Sequence, residues 1–67
     1  MNPGDLVEVF YTADDGRKVM LTTGLIIEYG NDKSGEDLVF ILKESGEIEE
    51  YSLNIKQIKF RIINEVR

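Results

Sequence analysis

The chain has 67 residues, of which 42% are hydrophobic and 31% charged, and its formal net charge is −5. This length allows one small domain and excludes two, and the composition is that of a folded globular domain rather than a disordered chain. The sequence contains neither cysteine nor histidine, which excludes disulfide bonds, thiolate or imidazole metal ligands, and catalysis by either side chain.

The sequence offers no membrane or export signal. No apolar run approaches the roughly 20 residues that a membrane-spanning helix requires. The start MNPGDLVEV lacks a basic stretch followed by an apolar one and is therefore not a signal peptide. We expect a cytoplasmic protein with no membrane contact, folded as a single domain over residues 1–67.

The first half of the chain predicts two strands joined by a ragged hairpin. Residues 4–11 alternate, with Val7 and Val9 on one face, which is typical of a strand. Asp15-Gly16 predicts a turn with positive φ at the glycine, after which the chain returns. The run GLIIEY at 24–29 predicts the second strand, with its glycine marking a bend or bulge.

Three further strands are predicted after the polar break at 30–37. Residues 38–43 (LVFILK) are apolar on both faces and predict a central strand, and residues 44–47 form a tight turn with Gly46 in the left-handed conformation. Residues 48–52 predict the fourth strand. A short turn or single 3₁₀ turn at LNIK (53–56) then leads to a fifth strand at 57–63.

The last segment has a second interpretation. Ile55, Ile58, Ile62 and Val66 fall at helical spacing, so a terminal helix is the alternative. A strand is favoured because residues 57–62 alternate strictly. Phe60 shares the apolar face with Ile58 and Ile62, and the opposite face is polar.

The stretches PGDLVEV, TGLIIE, VFILKESGEIEEYS and LNIKQIKFRI resemble the pattern of SH3-like barrels, such as KOW-type domains of ribosomal and transcription-associated proteins and short bacteriophage-encoded proteins. The resemblance implies an all-β fold, a five-stranded SH3-like small barrel with a short 3₁₀ turn before the last strand. The chain has no tryptophan and only FYTADD where peptide-binding SH3 domains carry a tyrosine-rich hairpin, which argues against recognition of polyproline segments.

No pattern in the sequence predicts catalysis, a metal or a cofactor. Carboxylates cluster at 14–15, at 32–37 and at 47–50, but none of these clusters has calcium-loop spacing. The serines lack a histidine base, and no glycine-rich run matches a phosphate-binding loop. We interpret the carboxylates as solvated surface and predict neither an enzyme nor a small-molecule substrate.

The charges are distributed unevenly along the chain. Residues 1–50 carry 4 basic and 12 acidic side chains, a net charge of −8, whereas residues 51–67 carry 4 basic and 1 acidic, a net charge of +3. Lys56, Lys59 and Arg61 are therefore candidate nucleic-acid contacts, with Arg67 near the end of the stripe. The simpler interpretation is that these cations pair with acids on the adjacent strand, such as Glu8.

The apolar residues exceed what a small barrel encloses, because both faces of the second and third predicted strands are apolar. Residues 19–21 of the long hairpin could cover part of this excess as a satellite cluster. The alternative is an exposed patch, which marks an interface. The predicted interface residues are Leu6, Phe10, Ile26, Val39, Ile41 and Ile63.

These observations predict a non-catalytic protein-interaction module that acts by self-association, including pairing of edge strands, or by binding a larger protein. One alternative is a nucleic-acid- or ribosome-associated barrel that uses the basic last strand. A second alternative is an acidic regulator that binds a basic surface on a host protein such as a polymerase, as the net charge of residues 1–50 suggests.

Overall fold

The computed structural model describes residues 1–63, which form one antiparallel sheet in the order β4-β3-β2-β1-β5. The all-β class predicted from the sequence is confirmed for this part of the chain. The five strands are β1 (Leu6–Thr12), β2 (Lys18–Asn31), β3 (Asp37–Lys43), β4 (Ile48–Ser52) and β5 (Ile58–Ile62). Residues 1–63 contain no helix of the length and apolarity needed to cross a membrane.

The second strand is longer than predicted, because the returning arm of the hairpin and the run from Gly24 form one continuous strand of 14 residues. Two register shifts interrupt its pairing. Leu21 is an extra residue opposite β1, and Ile27 is an extra residue opposite β3. Each shift changes which face the following side chains point to, and both increase the local twist of the strand.

Gly24 lies within β2, at a point of close backbone approach rather than at a strand start. It pairs with Val7 on one side and with Lys43 on the other. A Cβ atom at this position would lie 2.6 Å from Ile41 Cγ2 and closer still to the Leu42 carbonyl oxygen. Glycine is therefore required here by space, and its lack of a side chain lets β2 and β3 pack tightly.

The turns follow the sequence prediction closely. Gly16 and Gly46 have φ values of 90° and 93°, the left-handed conformation that only glycine adopts without strain. Turns at 53–54 and 56–57 join β4 to β5, and the structure has no 3₁₀ turn at residues 53–56, where one was predicted. Residues 58–62 are a strand, so the helical alternative is wrong for them. Val66 and Arg67 lie outside the described residues.

The core lies on one face of the sheet and is small. Five aliphatic side chains are fully buried there: Val7, Val9, Ile26, Val39 and Ile41. Tyr51, Ile58 and Phe60 are partly buried and pack against this cluster. The alternation of the first and fifth strands therefore predicted the inward faces correctly.

The sheet is strongly curved over this core. In a flat sheet of five strands, the two edge strands would lie about 19 Å apart. Tyr51 on edge strand β4 and Phe60 on edge strand β5 nevertheless make a T-shaped contact, with ring centroids 6.4 Å apart and an interplanar angle of 82°. This contact brings the two edges together across the core and adds an edge-to-face aromatic pair to it.

Candidate interaction surface

The face of the sheet opposite the core carries a continuous row of aliphatic side chains, which we call the outer row. Leu6 of β1 is directly opposite Leu25 of β2, Leu25 is opposite Leu42 of β3, and Leu42 is opposite Ile48 of β4. Residues directly opposite in an antiparallel sheet share a face. The Ile63 N–H donates to the Leu6 carbonyl, which extends the row beyond the end of β5.

The outer row is accessible to solvent. Leu25, Ile48 and Ile63 are 39%, 58% and 40% exposed, while Leu6 and Leu42 are half-buried. A shallow groove of about 680 Å³ opens over the row, and its lining includes Leu6, Leu25 and Leu42 together with residues 44, 45 and 47 of the β3–β4 turn. A run of apolar side chains across four strands of a sheet is larger than the isolated exposed residues common on protein surfaces.

Acidic side chains flank the outer row. Glu28 and Glu50 lie opposite Phe40 on its two sides, so a glutamate–phenylalanine–glutamate set runs next to the row on β2, β3 and β4. Both glutamates are exposed and Phe40 is half-buried. Glu44 is also exposed and lines the groove at the β3–β4 turn. The surface is therefore apolar in its centre and negatively charged at its border.

The structure divides the six predicted interface residues into two sets. Leu6, Phe10 and Ile63 lie on the outer face or at its end, as expected. Ile26, Val39 and Ile41 are at most 1% exposed and belong to the core, so the prediction that they form a surface is wrong.

The reason lies in the third strand, which is apolar on both faces, so that its alternation does not indicate which face is buried. Pairing decides the question. Ile41 is opposite Ile26, and Val39 is opposite Tyr51, so both residues point to the core side. The residues that do form the outer row, Leu25, Leu42 and Ile48, were missed as interface candidates, although a run that is apolar on both faces was a signal that either set could be outside.

The returning arm of the first hairpin does not cover the apolar excess. Val19, Met20 and Leu21 are 53%, 52% and 42% exposed, so they do not form the satellite cluster that was the alternative to an exposed patch. On the outer face of this hairpin, the Lys18 ammonium lies 5.1 Å from the centroid of the Phe10 ring, within the range of a cation–π interaction.

The basic stripe of β5 is partly neutralised within the chain. Arg61 is opposite Glu8, and its Nε donates to Glu8 Oε1 at 2.8 Å, which confirms the predicted cross-strand pair. Lys59 is opposite Phe10, and Lys56 lies in the turn before β5. Both lysines are exposed, and neither forms a salt bridge with another of residues 1–63. Two of the three candidate nucleic-acid contacts thus lack an acidic partner in the described part of the chain.

The predicted carboxylate cluster at 32–37 has a structural role in its loop. Asp32 Oδ1 accepts hydrogen bonds from the Ser34 N–H, the Ser34 hydroxyl and the Glu36 N–H. The bond from the Ser34 hydroxyl is the main cause of the lowered pKa of the Asp32 carboxyl. Within residues 1–63, no group of three or more carboxylates is arranged to hold a metal ion.

A part-buried polar network includes Tyr51, which packs against the core. The Tyr51 hydroxyl donates to Glu49 at 2.5 Å, and the Lys43 ammonium donates to the other oxygen of the same carboxylate at 3.2 Å. Burial, followed by the bond to Glu49, raises the pKa of the Tyr51 phenol to about 12. The bond from Tyr51, followed by that from Lys43, lowers the pKa of the Glu49 carboxyl. Each group is held in its ordinary charge state, which suits a structural role rather than proton transfer.

Comparison with known proteins adds no family to this description. No protein-family model, no curated protein and no solved structure matches the chain.

Proposed function

We propose that this protein is a non-catalytic interaction module that binds another protein through the outer row. The single observation that carries the proposal is the aliphatic ladder from Leu6 to Ile48, which crosses four strands and leaves Leu25 and Ile48 exposed to solvent. Burial of apolar surface is the main driving force of protein association, and a partner that covers this row would gain it.

The same sheet supports a proposal about the fold. We propose that the curved sheet is that of a small SH3-like barrel, as the sequence resemblance implies. The strand order β4-β3-β2-β1-β5, the long hairpin between β1 and β2, and the contact of Tyr51 with Phe60 across the two edges support this proposal. In such a barrel the core face is filled by side chains, so binding falls to the outer face and the edges.

Self-association is one form of the proposed activity, and the edge strands offer a second route to it. β4 and β5 are the edges of the sheet, and unpaired edges are templates for pairing with another chain. Both edges carry charges, Glu49 and Glu50 on β4 and Lys59 and Arg61 on β5. Charged side chains on an edge oppose uncontrolled pairing, so the outer row is the stronger candidate.

The test uses two exposed aliphatic residues of β2 as a matched pair. Leu25 is in the outer row and 39% exposed, whereas Val19 is on the hairpin and 53% exposed. We expect Leu25→Ser to abolish self-association in sedimentation velocity, or to abolish capture of a partner from lysate of the source cell, while Val19→Ser retains it. Urea unfolding of both variants verifies that each is folded. Equal binding by the wild type and Leu25→Ser would refute the proposal.

A further inference from the structure

We infer that the partner of the outer row is a protein segment that combines apolar side chains with flanking lysine or arginine. This inference rests on the proposed function and adds to it the chemistry of the ligand. It follows from the charges next to the row, where exposed glutamates lie on β2, on β4 and in the β3–β4 turn.

Within residues 1–63, the acidic border has no cationic partner that would keep it from acting on a ligand. Glu28, Glu44 and Glu50 are exposed, and none of them forms a salt bridge with any of residues 1–63. On β4, Glu50 is two residues from Ile48 and therefore shares its face. A ligand that covers Ile48 thus brings its own flanking groups within reach of the Glu50 carboxylate.

The cations nearest the row are already paired. Lys43 lines the groove, but its ammonium is 3.2 Å from Glu49 and 3.6 Å from Glu47. Arg61, on the β5 side, is paired with Glu8. Lys59, which has no described acidic partner, lies on β5 opposite Phe10. Over the part of the row on β2, β3 and β4, the carboxylates without a described partner therefore determine the sign of the field. Complementary charges on a ligand increase its rate of association and select against ligands of the wrong charge.

The same border disfavours a second copy of this chain as the occupant. Two outer rows packed face to face would bring the exposed glutamates of one copy close to those of the other, and juxtaposed like charges are costly at an interface. A basic amphipathic segment matches both the apolar row and its acidic border, because its apolar side chains cover Leu25 and Leu42 while its cations pair with Glu28 and Glu50.

The experiment selects ligands from a displayed library of short random peptides, with the full chain as bait and Leu25→Ser as the counter-screen. We expect the enriched peptides to contain apolar residues next to lysine or arginine and to lose binding to Leu25→Ser. Glu50→Lys should weaken such a peptide about tenfold. Asp14→Lys, an equal change of charge in the β1–β2 turn, should weaken it less than about twofold.

The possible results separate the inference from the function on which it rests. Enriched peptides that require Leu25 but carry no excess of basic residues would overturn the inference and leave the proposed function standing. Equal weakening by Glu50→Lys and Asp14→Lys would also overturn it, because the attraction would then come from net charge alone. A dimer that Leu25→Ser dissolves would identify a second copy as the occupant. No enrichment, or enrichment insensitive to Leu25→Ser, would refute the proposed function itself.

Discussion

The neighbouring residues Ile41 and Leu42 of β3 test which face of the sheet is the core. Ile41 has no exposed surface, whereas Leu42 lies in the outer row and is half-buried. Truncation of each to alanine removes an aliphatic group of the same volume. We expect Ile41→Ala to lower the free energy of unfolding far more than Leu42→Ala does.

The magnitudes follow from the two environments. Ile41 is enclosed by core residues, so its truncation loses the transfer free energy of the removed carbons and leaves a cavity, about 2 to 5 kcal/mol in total. Leu42 is partly exposed at a groove that opens to solvent. Its truncation therefore loses only part of the roughly 1.5 to 3 kcal/mol that full burial of the side chain contributes, and it leaves no closed cavity. We expect the free energy of unfolding to fall by about 1 kcal/mol. A domain of this size has a total stability of about 5 kcal/mol, so Ile41→Ala is close to the limit of folding.

The assay is equilibrium urea unfolding followed by circular dichroism. If Ile41→Ala does not fold, a second pair of variants with smaller truncations still allows the two faces to be compared. Ile41→Val should cost about 0.5 to 1.5 kcal/mol, whereas Ile48→Val, the same change at a residue 58% exposed, should cost less than about 0.5 kcal/mol. The assignment of faces would be wrong if Leu42→Ala lowered the free energy of unfolding more than Ile41→Ala does. It would also be wrong if Ile48→Val lowered it more than Ile41→Val does.

Three further predictions concern single contacts. Gly24→Ala should lower the free energy of unfolding in urea by about 1 to 3 kcal/mol, because the new Cβ meets the Leu42 carbonyl and the Ile41 side chain. An unchanged unfolding midpoint would contradict the close approach of β2 and β3. A double-mutant cycle with Glu8→Gln and Arg61→Gln should give a coupling of about 0.2 to 1 kcal/mol that shrinks in high salt, and a coupling of zero at low salt would mean that the pair contributes nothing in solution. Folding raises the pKa of the Tyr51 phenol from 10.0 to about 12, so the folded state favours the protonated phenol. The resulting stabilisation of the folded state is complete below pH 10 and declines as pH rises toward 12. Glu49→Gln should shift the near-ultraviolet phenolate titration to lower pH, and an unshifted curve would exclude the hydrogen bond as a cause.

The Glu8–Arg61 pair shows how far the sequence alone reaches. Alternation on β1, and strict alternation on β5, predicted that Val7, Val9 and Phe60 point inward and that Glu8 and Arg61 point outward, and the structure brings the two charges together. On β5 alternation is informative because one face is apolar and the other polar. On β1 it is informative because the only charged side chain, Glu8, lies on the face opposite Val7 and Val9. The turn glycines were equally predictable, since positive φ is a local requirement that few other residues satisfy.

The composition of the outer row depended on the tertiary structure. β3 is apolar on both faces, so its own residues do not indicate whether Ile41 or Leu42 is buried. Register shifts at Leu21 and Ile27 interrupt the alternation of side chains along β2. Strict alternation from Val19 would therefore place Leu25 on the wrong face of the sheet. Only the register between β2 and β3 determined that Leu25 and Leu42 lie side by side on the outside. Local sequence therefore determined strands and turns, whereas the register between strands decided which apolar residues form the core and which form the surface for a partner.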